Sequence, residues 1–307
     1  MSSENDRYRG ALLGLAVGDS VGMPLEFRAP GGFEPLTDMV GGGPFDLQPG
    51  QWTDDTSMAL CLAASLLDCR GFDPSDQMRR YVAWYEQGYM SCTGECFDIG
   101  NTVSDALHRY GQTGDPYAGS TDPLSAGNGS LMRLVPVVLF YHPDPAETLR
   151  FAGDSSRTTH GAAEAVAACE IFAQMLSAAL GGGSKEEVLS AATPSGVSAR
   201  LDAVASGDVS ALERVRGTGY VVDCLEAALW CFATTDDFRG AVLAAANLGE
   251  DADTTAAVCG QIAGAFYGAS GIPPHWLSAL AMSEEIEGLA DRLHDAAARR
   301  QAAAAST

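Results

Sequence analysis

Apolar and small residues recur at helical spacing along most of this chain, and the strict alternation of a half-buried strand is almost absent. Residues 8–17 (YRGALLGLAV), 57–67 (SMALCLAASLL), 161–180, 220–232 and 254–267 each read as buried or half-buried helices. Many of these positions are Ala or Gly, which predicts helices that approach closely rather than a core filled by large side chains. The stretch 135–141 (VPVVLFY) has the composition of a short strand, although Pro136 argues against a central one. Breaks rich in Gly, Pro and Ser fall at 31–50, 114–129 and 181–184. None separates halves of different composition. The pattern therefore predicts one compact all-α domain over residues 1–295 with long loops, and unstructured loops of that length usually carry function. Residues 296–307 read as an Ala-rich tail that frays.

Charge narrows the functions. The chain has 18 basic against 40 acidic residues, a formal charge of -22, and a single lysine, Lys185. Such a surface repels nucleic-acid phosphates and anionic membranes, so neither is expected as a partner. Most of these carboxylates need no explanation beyond solvation. The eight cysteines are scattered. Cys92 and Cys96 form one C-x3-C, but no second pair stands at zinc-site spacing. No signal peptide and no apolar run long enough to span a bilayer is read from the sequence. A reduced, cytoplasmic, monomeric protein is the expectation.

Two segments stand out, Thr53-Asp54-Asp55-Thr56 and Asp251-Ala252-Asp253-Thr254, each following a glycine break and opening a predicted helix. One Asp or Thr at a helix start is an ordinary cap. Capping uses one side chain, however, and each segment offers two carboxylates and a hydroxyl. Asp251 and Asp253 would point to different sides of a regular helix, so they converge only if the helix begins between them. Hard cations take oxygen ligands, and a set without His or Cys disfavours zinc. Six protein oxygens exceed what one Mg2+ usually takes, so two Mg2+ or Mn2+ ions sharing aspartates is the expected arrangement.

The blocks 10–27 (GALLGLAVGDSVGMPLEF), 50–60 (GQWTDDTSMAL), 97–103 (FDIGNTV), 127–137 (GNGSLMRLVPV), 158–161 (TTHG), 219–232 and 247–268 resemble the ADP-ribosylglycohydrolases. Within that family they look like the bacterial branch typified by the dinitrogenase-reductase-activating glycohydrolase. The likeness spans residues 9–271 with every block in order. It implies an all-α fold around a binuclear Mg2+ or Mn2+ centre. The implied reaction is hydrolysis of the N-glycosidic bond between ADP-ribose and a protein side chain, arginine in that branch, with an ADP-ribosylated protein as substrate and ADP-ribose as product. By this match Thr53, Asp54, Asp55, Asp251, Asp253 and Thr254 are the metal ligands. Glu26 lies near them on a flap, and Asp98 is an acid/base whose pKa burial or a neighbouring carboxylate would raise.

The resemblance also implies a substrate site formed by Gly100, Asn101, Gly127, Asn128, Gly129, Ser130, Met132, His160 and Tyr220. Each has a plainer reading. Gly127-Asn128-Gly129-Ser130 is a common turn as well as a loop whose N–H groups, ahead of a helix, cradle a pyrophosphate. His160 is equally a structural hydrogen-bonder, Tyr220 a core aromatic rather than a platform for adenine, and Arg133 a partner for a buried acid rather than for phosphate. Two rival functions stay open: an inactive ADP-ribose-binding relic, and a metal-dependent phosphohydrolase of a nucleotide.

Overall fold

The computed structural model describes residues 2–209 and 215–304. The helices follow in the order α1 (Glu4–Gly22), α2 (Asp54–Cys69), α3 (Pro74–Gln87), α4 (Asn101–Thr113), α5 (Val135–Tyr141), α6 (Pro145–Arg157), α7 (Ala163–Leu180), α8 (Lys185–Leu189), α9 (Ala199–Ala205), α10 (Val221–Thr234), α11 (Phe238–Ala246), α12 (Ala252–Tyr267), α13 (Pro274–Ala279) and α14 (Ser283–Ala304). Among the described residues the only β pairing is in isolated bridges, so the predicted all-α class holds.

Three local expectations are corrected. Residues 135–141 form a helix, because Pro136 sits in its first turn, where the missing N–H costs nothing. The segment expected to fray continues α14 through Ala304. Ala296 and Ala297 are buried there, and Arg300 pairs with Glu147 and lies 4.6 Å from the Tyr141 ring centroid. The last three residues of that expected tail, 305–307, lie outside the described residues. Helix α7 is, by length and composition, apolar enough to cross a membrane, with 67% of it buried; it packs against α6, α10 and α12.

Small residues set the central helix pair. Gly10, Gly14, Gly18 and Gly22 lie one turn apart on α1, and a Cβ at any of them would collide with the carbonyl oxygen of Gly264, Gly260, Ala256 or Ala252 in turn. The register runs in opposite directions along the two chains, so α1 and α12 are antiparallel with their backbones in contact. The C-terminal end of α1 therefore meets the N-terminal end of α12. That crossing puts Asp19 and, just after the α1 terminus, Glu26 beside the Asp251-Ala252-Asp253-Thr254 segment.

Two buried polar side chains then place the remaining pieces. Asp19, on α1, accepts from the backbone N–H groups of Thr53 (2.9 Å) and Thr56 (3.0 Å) and from their hydroxyls (3.0 and 2.7 Å). It caps α2 from another helix, and Thr53, the N-cap residue, makes no cap bond with its own side chain. Gln261, on α12, accepts from Val135 N–H at 2.9 Å and donates to the carbonyls of Leu131 and Met132 at 3.3 and 2.8 Å. It thereby ties the turn after Gly127 to the same central helix.

Candidate active site

Helix α12 begins at Ala252 with Asp251 as its N-cap residue, the start between the two aspartates that their convergence requires. Thr53 Oγ1 lies 3.3 Å from Asp55 Oδ2 and 3.4 Å from Asp253 Oδ2, and Thr254 Oγ1 lies 3.4 Å from Asp55 Oδ2. The starts of α2 and α12 thus share one site. Glu26, Asp98 and Asp253 each bring a carboxylate oxygen to within 4.8 Å of the others. Asp54, Asp98, Glu26, Asp251, Asp253 and Thr254 line a cleft of about 810 Å³, and Thr53 and Asp55 are buried beneath its floor.

The backbone around the carboxylates is unusual. Phe27, Asp98 and Glu250 all hold positive φ, at 61°, 59° and 58°, a region non-glycine residues seldom adopt. Phe27 N–H donates to the Glu250 carbonyl at 2.7 Å, and Glu250 N–H to the Arg28 carbonyl at 2.8 Å. These bonds pin the loop carrying Glu26 to the segment carrying Asp251. Strain of this kind persists only where the surroundings over-determine it, and it gathers at functional sites.

The residues fit a hard cation. Thr53 has one hydroxyl hydrogen but three carboxylate oxygens within 3.4 Å, and donation to Asp19 leaves its lone pairs facing Asp55 and Asp253. Buried Asp55 Oδ1, Asp253 Oδ1 and Glu26 Oε2 have no hydrogen-bond partner among the described residues. Orphaned buried carboxylate oxygens are costly, and a divalent ion satisfies them. The electrostatics agree. Burial, and then the neighbouring carboxylates, push Asp54, Asp55 and Asp253 well above the usual carboxylate range. Burial followed by Asp98 and Asp251 raises Glu26 to about 9, and burial followed by Asp19 and Asp251 raises Asp98 to about 7.

Gly100, Asn101, Gly127, Asn128, Gly129, Met132 and His160 line the same cleft. Asn128 Nδ2 donates to Asp251 Oδ2 at 2.9 Å, linking the glycine turn to the acidic cluster. Ser130 and Tyr220 are not among the lining residues. The Ser130 hydroxyl is buried against Ser156, which donates to it at 2.9 Å, and Tyr220 donates its hydroxyl to Glu164 at 2.6 Å. Residues 128–134 form successive turns, and α5 starts only at Val135, so no helix N-terminus stands directly behind Gly127-Asn128-Gly129-Ser130. Among the described residues Arg133 pairs with no acid, and it does not line the cleft; it is buried among carbonyls and hydroxyls.

Asp19 escaped the sequence reading. Its signal was present: it is the one charged residue in the apolar run 10–25, and a carboxylate there needs donors. Cys92 is likewise local support, donating Sγ–H to the Trp52 carbonyl at 3.0 Å beside Thr53, and all eight cysteines are free.

An all-helical scaffold that closes two carboxylate-bearing helix starts around a deep cleft defines an enzyme site suited to a hard cation. The chain belongs to the ADP-ribosylglycohydrolase family, whose model matches residues 1–303. It is 46% identical over 294 residues to the ADP-ribosylarginine hydrolase Tri1 of Pseudomonas putida (strain GB-1), covering 95% of this chain and 79% of that protein. It is 34% identical to the ADP-ribosyl-[dinitrogen reductase] glycohydrolase of Rhodospirillum rubrum, covering 93% of this chain and 94% of the other. A solved structure described as an ADP-ribosylglycohydrolase-related protein complex superposes with a TM-score of 0.86 at 46% identity, covering 97% of this chain and all of that one.

Proposed function

We propose that this enzyme hydrolyses the N-glycosidic bond between ADP-ribose and an arginine side chain of a modified protein, releasing ADP-ribose, with two Mg2+ or Mn2+ ions in the acidic cluster. The observation that carries the reading is the meeting of both helix starts, through Thr53, Asp55, Asp253 and Thr254, in one cleft with Glu26 and Asp98. The arginine acceptor is supported by relatives named as ADP-ribosylarginine hydrolases, at 46% and 43% identity.

Thr53, Asp54, Asp55, Asp251, Asp253 and Thr254 are the residues that would hold the ions. When bound, the ions neutralise the carboxylates and offer positive charge to sugar oxygens. The chain's own groups do the rest. Hydrolysis adds the hydroxyl of water to the anomeric carbon, and its proton goes to the departing guanidine nitrogen. Asp98, which burial and then the Asp19 and Asp251 charges raise in the metal-free site, is the carboxyl that gives and takes that proton. Glu26, whose carboxylate neighbours Asp98, serves as its partner. The cleft wall of Gly100, Asn101, Gly127, Asn128, Gly129, Met132 and His160 would receive the nucleotide, glycines allowing close approach of its phosphates.

The test is a product assay on proteins carrying ADP-ribose on arginine, on serine or on acidic residues. Intact ADP-ribose should be released from the arginine-linked substrate. Release from the serine-linked substrate alone would overturn the acceptor, and inorganic phosphate as product would overturn the reaction.

A further inference from the structure

Behind the glycine turn, three side chains are joined in a way that the reaction above does not require. Arg133 is fully buried, and its hydrogen-bond partners are neutral. It donates to the Gly129 carbonyl at 2.6 Å and to Thr159 Oγ1 at 2.7 Å, with the Ser155 carbonyl and Thr158 Oγ1 at 3.5 Å, and its guanidinium lies 4.8 Å from the Tyr81 ring centroid. A desolvated charge without a counter-ion among the described residues is costly, so its presence asks for a reason.

Thr159 Oγ1 is 2.9 Å from His160 Nδ1. Arginine has donors only, so the Thr159 oxygen accepts from Arg133. The hydroxyl then has one hydrogen to place. If it goes to His160 Nδ1, the Thr159 hydroxyl and the Nδ1 lone pair are both satisfied and the imidazole carries its proton on Nε2. If Nδ1 donated instead, Thr159 would accept twice and its own hydrogen would need a further acceptor. Among the described residues this hydroxyl bonds to Arg133 and His160 alone, and Thr159 is fully buried. Leaving a buried hydroxyl hydrogen unmet favours the first arrangement by roughly ten- to a hundredfold.

The other ring edge faces the cleft. A Cβ on Gly129 would stand 2.8 Å from His160 Cε1 and 3.2 Å from Nε2, and one on Gly127 3.3 Å from Nε2. His160 lines the cleft, and Nε2 has no protein acceptor among the described residues. We propose that Arg133 and Thr159 are positioning residues that fix His160 as the Nε2–H tautomer, presenting a permanent hydrogen-bond donor to an acceptor oxygen of the nucleoside-diphosphate sugar in the cleft. The identity of that ligand rests on the proposed function; the tautomer is a property of the free protein. Burial and then the Arg133 charge lower the His160 pKa to about 3, which keeps the ring neutral at working pH.

The test is 15N NMR of the histidine-labelled full chain without ligand, with His160 assigned by His160→Gln. Wild type should show Nδ1 as the bare, accepting nitrogen and Nε2 as the protonated one at neutral pH. Thr159→Val should lose this pattern and Thr159→Ser should keep it. An Nδ1–H tautomer or an imidazolium in wild type would overturn the proposal, as would an unchanged spectrum in folded Thr159→Val. Binding of ADP-ribose, by calorimetry, should weaken about tenfold in Thr159→Val; equal affinity would overturn the donor role. If wild type shows the tautomer but binds no ADP-ribose, the donor assignment fails with the proposed function, while the Arg133–Thr159 relay stands.

Discussion

Asp19 Oδ1 takes both the backbone N–H and the hydroxyl of Thr53, at 2.9 and 3.0 Å. Its second oxygen does the same for Thr56, at 3.0 and 2.7 Å. A helix start normally consumes its own first side chains in capping. Here an aspartate from the central helix α1 does that work, and Thr53, Asp54 and Asp55 are left to face the site. Asp19→Asn puts an amide donor against one of these two donor pairs. The expected cost is about 2–3 kcal/mol of stability by denaturant unfolding. Metal affinity, measured by calorimetric titration, should fall ten- to a hundredfold, as for other groups that orient ligands. Unchanged metal affinity in the folded variant would limit Asp19 to a structural role.

Asp55 bridges the two helix starts, with Oδ2 at 3.3 Å from Thr53 and 3.4 Å from Thr254, and its Oδ1 has no partner among the described residues. Asp55→Ala removes both oxygens from a buried cluster of like charges. Metal-free Asp55→Ala is therefore expected to melt at or above the temperature of metal-free wild type. It should also lose the rise in melting temperature that Mg2+ or Mn2+ gives the wild type. A variant that melts lower without metal yet keeps the full metal shift would contradict the ligand assignment.

The raised carboxylates make stability depend on pH in a set direction. The folded pKa values of Glu26 (about 9), Asp98 (about 7) and Asp19 (about 6) lie above those of an unfolded chain, near 4. Stability tied to such groups is complete below the unfolded value and is lost as pH rises through the folded one. His160 acts oppositely. Its folded value of about 3 lies below its unfolded value, so its contribution is present above about pH 6.5 and lost as pH falls. Between about pH 6.5 and 9 the carboxylates therefore set the slope. Metal-free protein should melt at falling temperature across that window, and saturating Mg2+ or Mn2+ should flatten the curve. Equal slopes with and without metal would count against a cation in the cluster.

The α1–α12 crossing is a backbone contact, so one methyl group is enough to test it. Gly18→Ala forces a Cβ into the Ala256 carbonyl, one residue from Asp19. Overpacking of this sort costs about 1–3 kcal/mol, and more where the neighbour is backbone. The loss should appear in denaturant unfolding, together with weaker metal binding because Asp19 and Asp253 are carried by the two displaced helices. Gly100→Ala, with open space around its Cβ and an ordinary negative φ, is a control for fold stability.

Much of this was legible in the chain. The two Asp-rich helix starts could be read because each offered more carboxylates than capping uses, and the required helix start between Asp251 and Asp253 is where α12 begins. The small-residue helices announced close packing, and the glycine stripe of α1 is that packing. What escaped depended on tertiary contact. The strand-like composition of 135–141 gives way to a helix once Gln261 meets the Val135 N–H, and α14 continues to Ala304 because Ala296, Ala297 and Arg300 find partners. Arg133 and Asp19 each look like isolated charges in apolar runs, and only the folded chain shows that one donates to Thr159 and the other accepts from Thr53. Ser130 and Tyr220, expected around the substrate, are not among the lining residues of the cleft, and their hydroxyls bond to Ser156 and Glu164.

The most direct measurement is release of ADP-ribose from an arginine-ADP-ribosylated protein, before and after chelation and after adding back Mg2+ or Mn2+. The account predicts intact ADP-ribose as product, loss of release with chelator, recovery with either ion, and loss of turnover in Asp98→Asn with metal still bound. Full release by the chelated enzyme, or full turnover by Asp98→Asn, would contradict it.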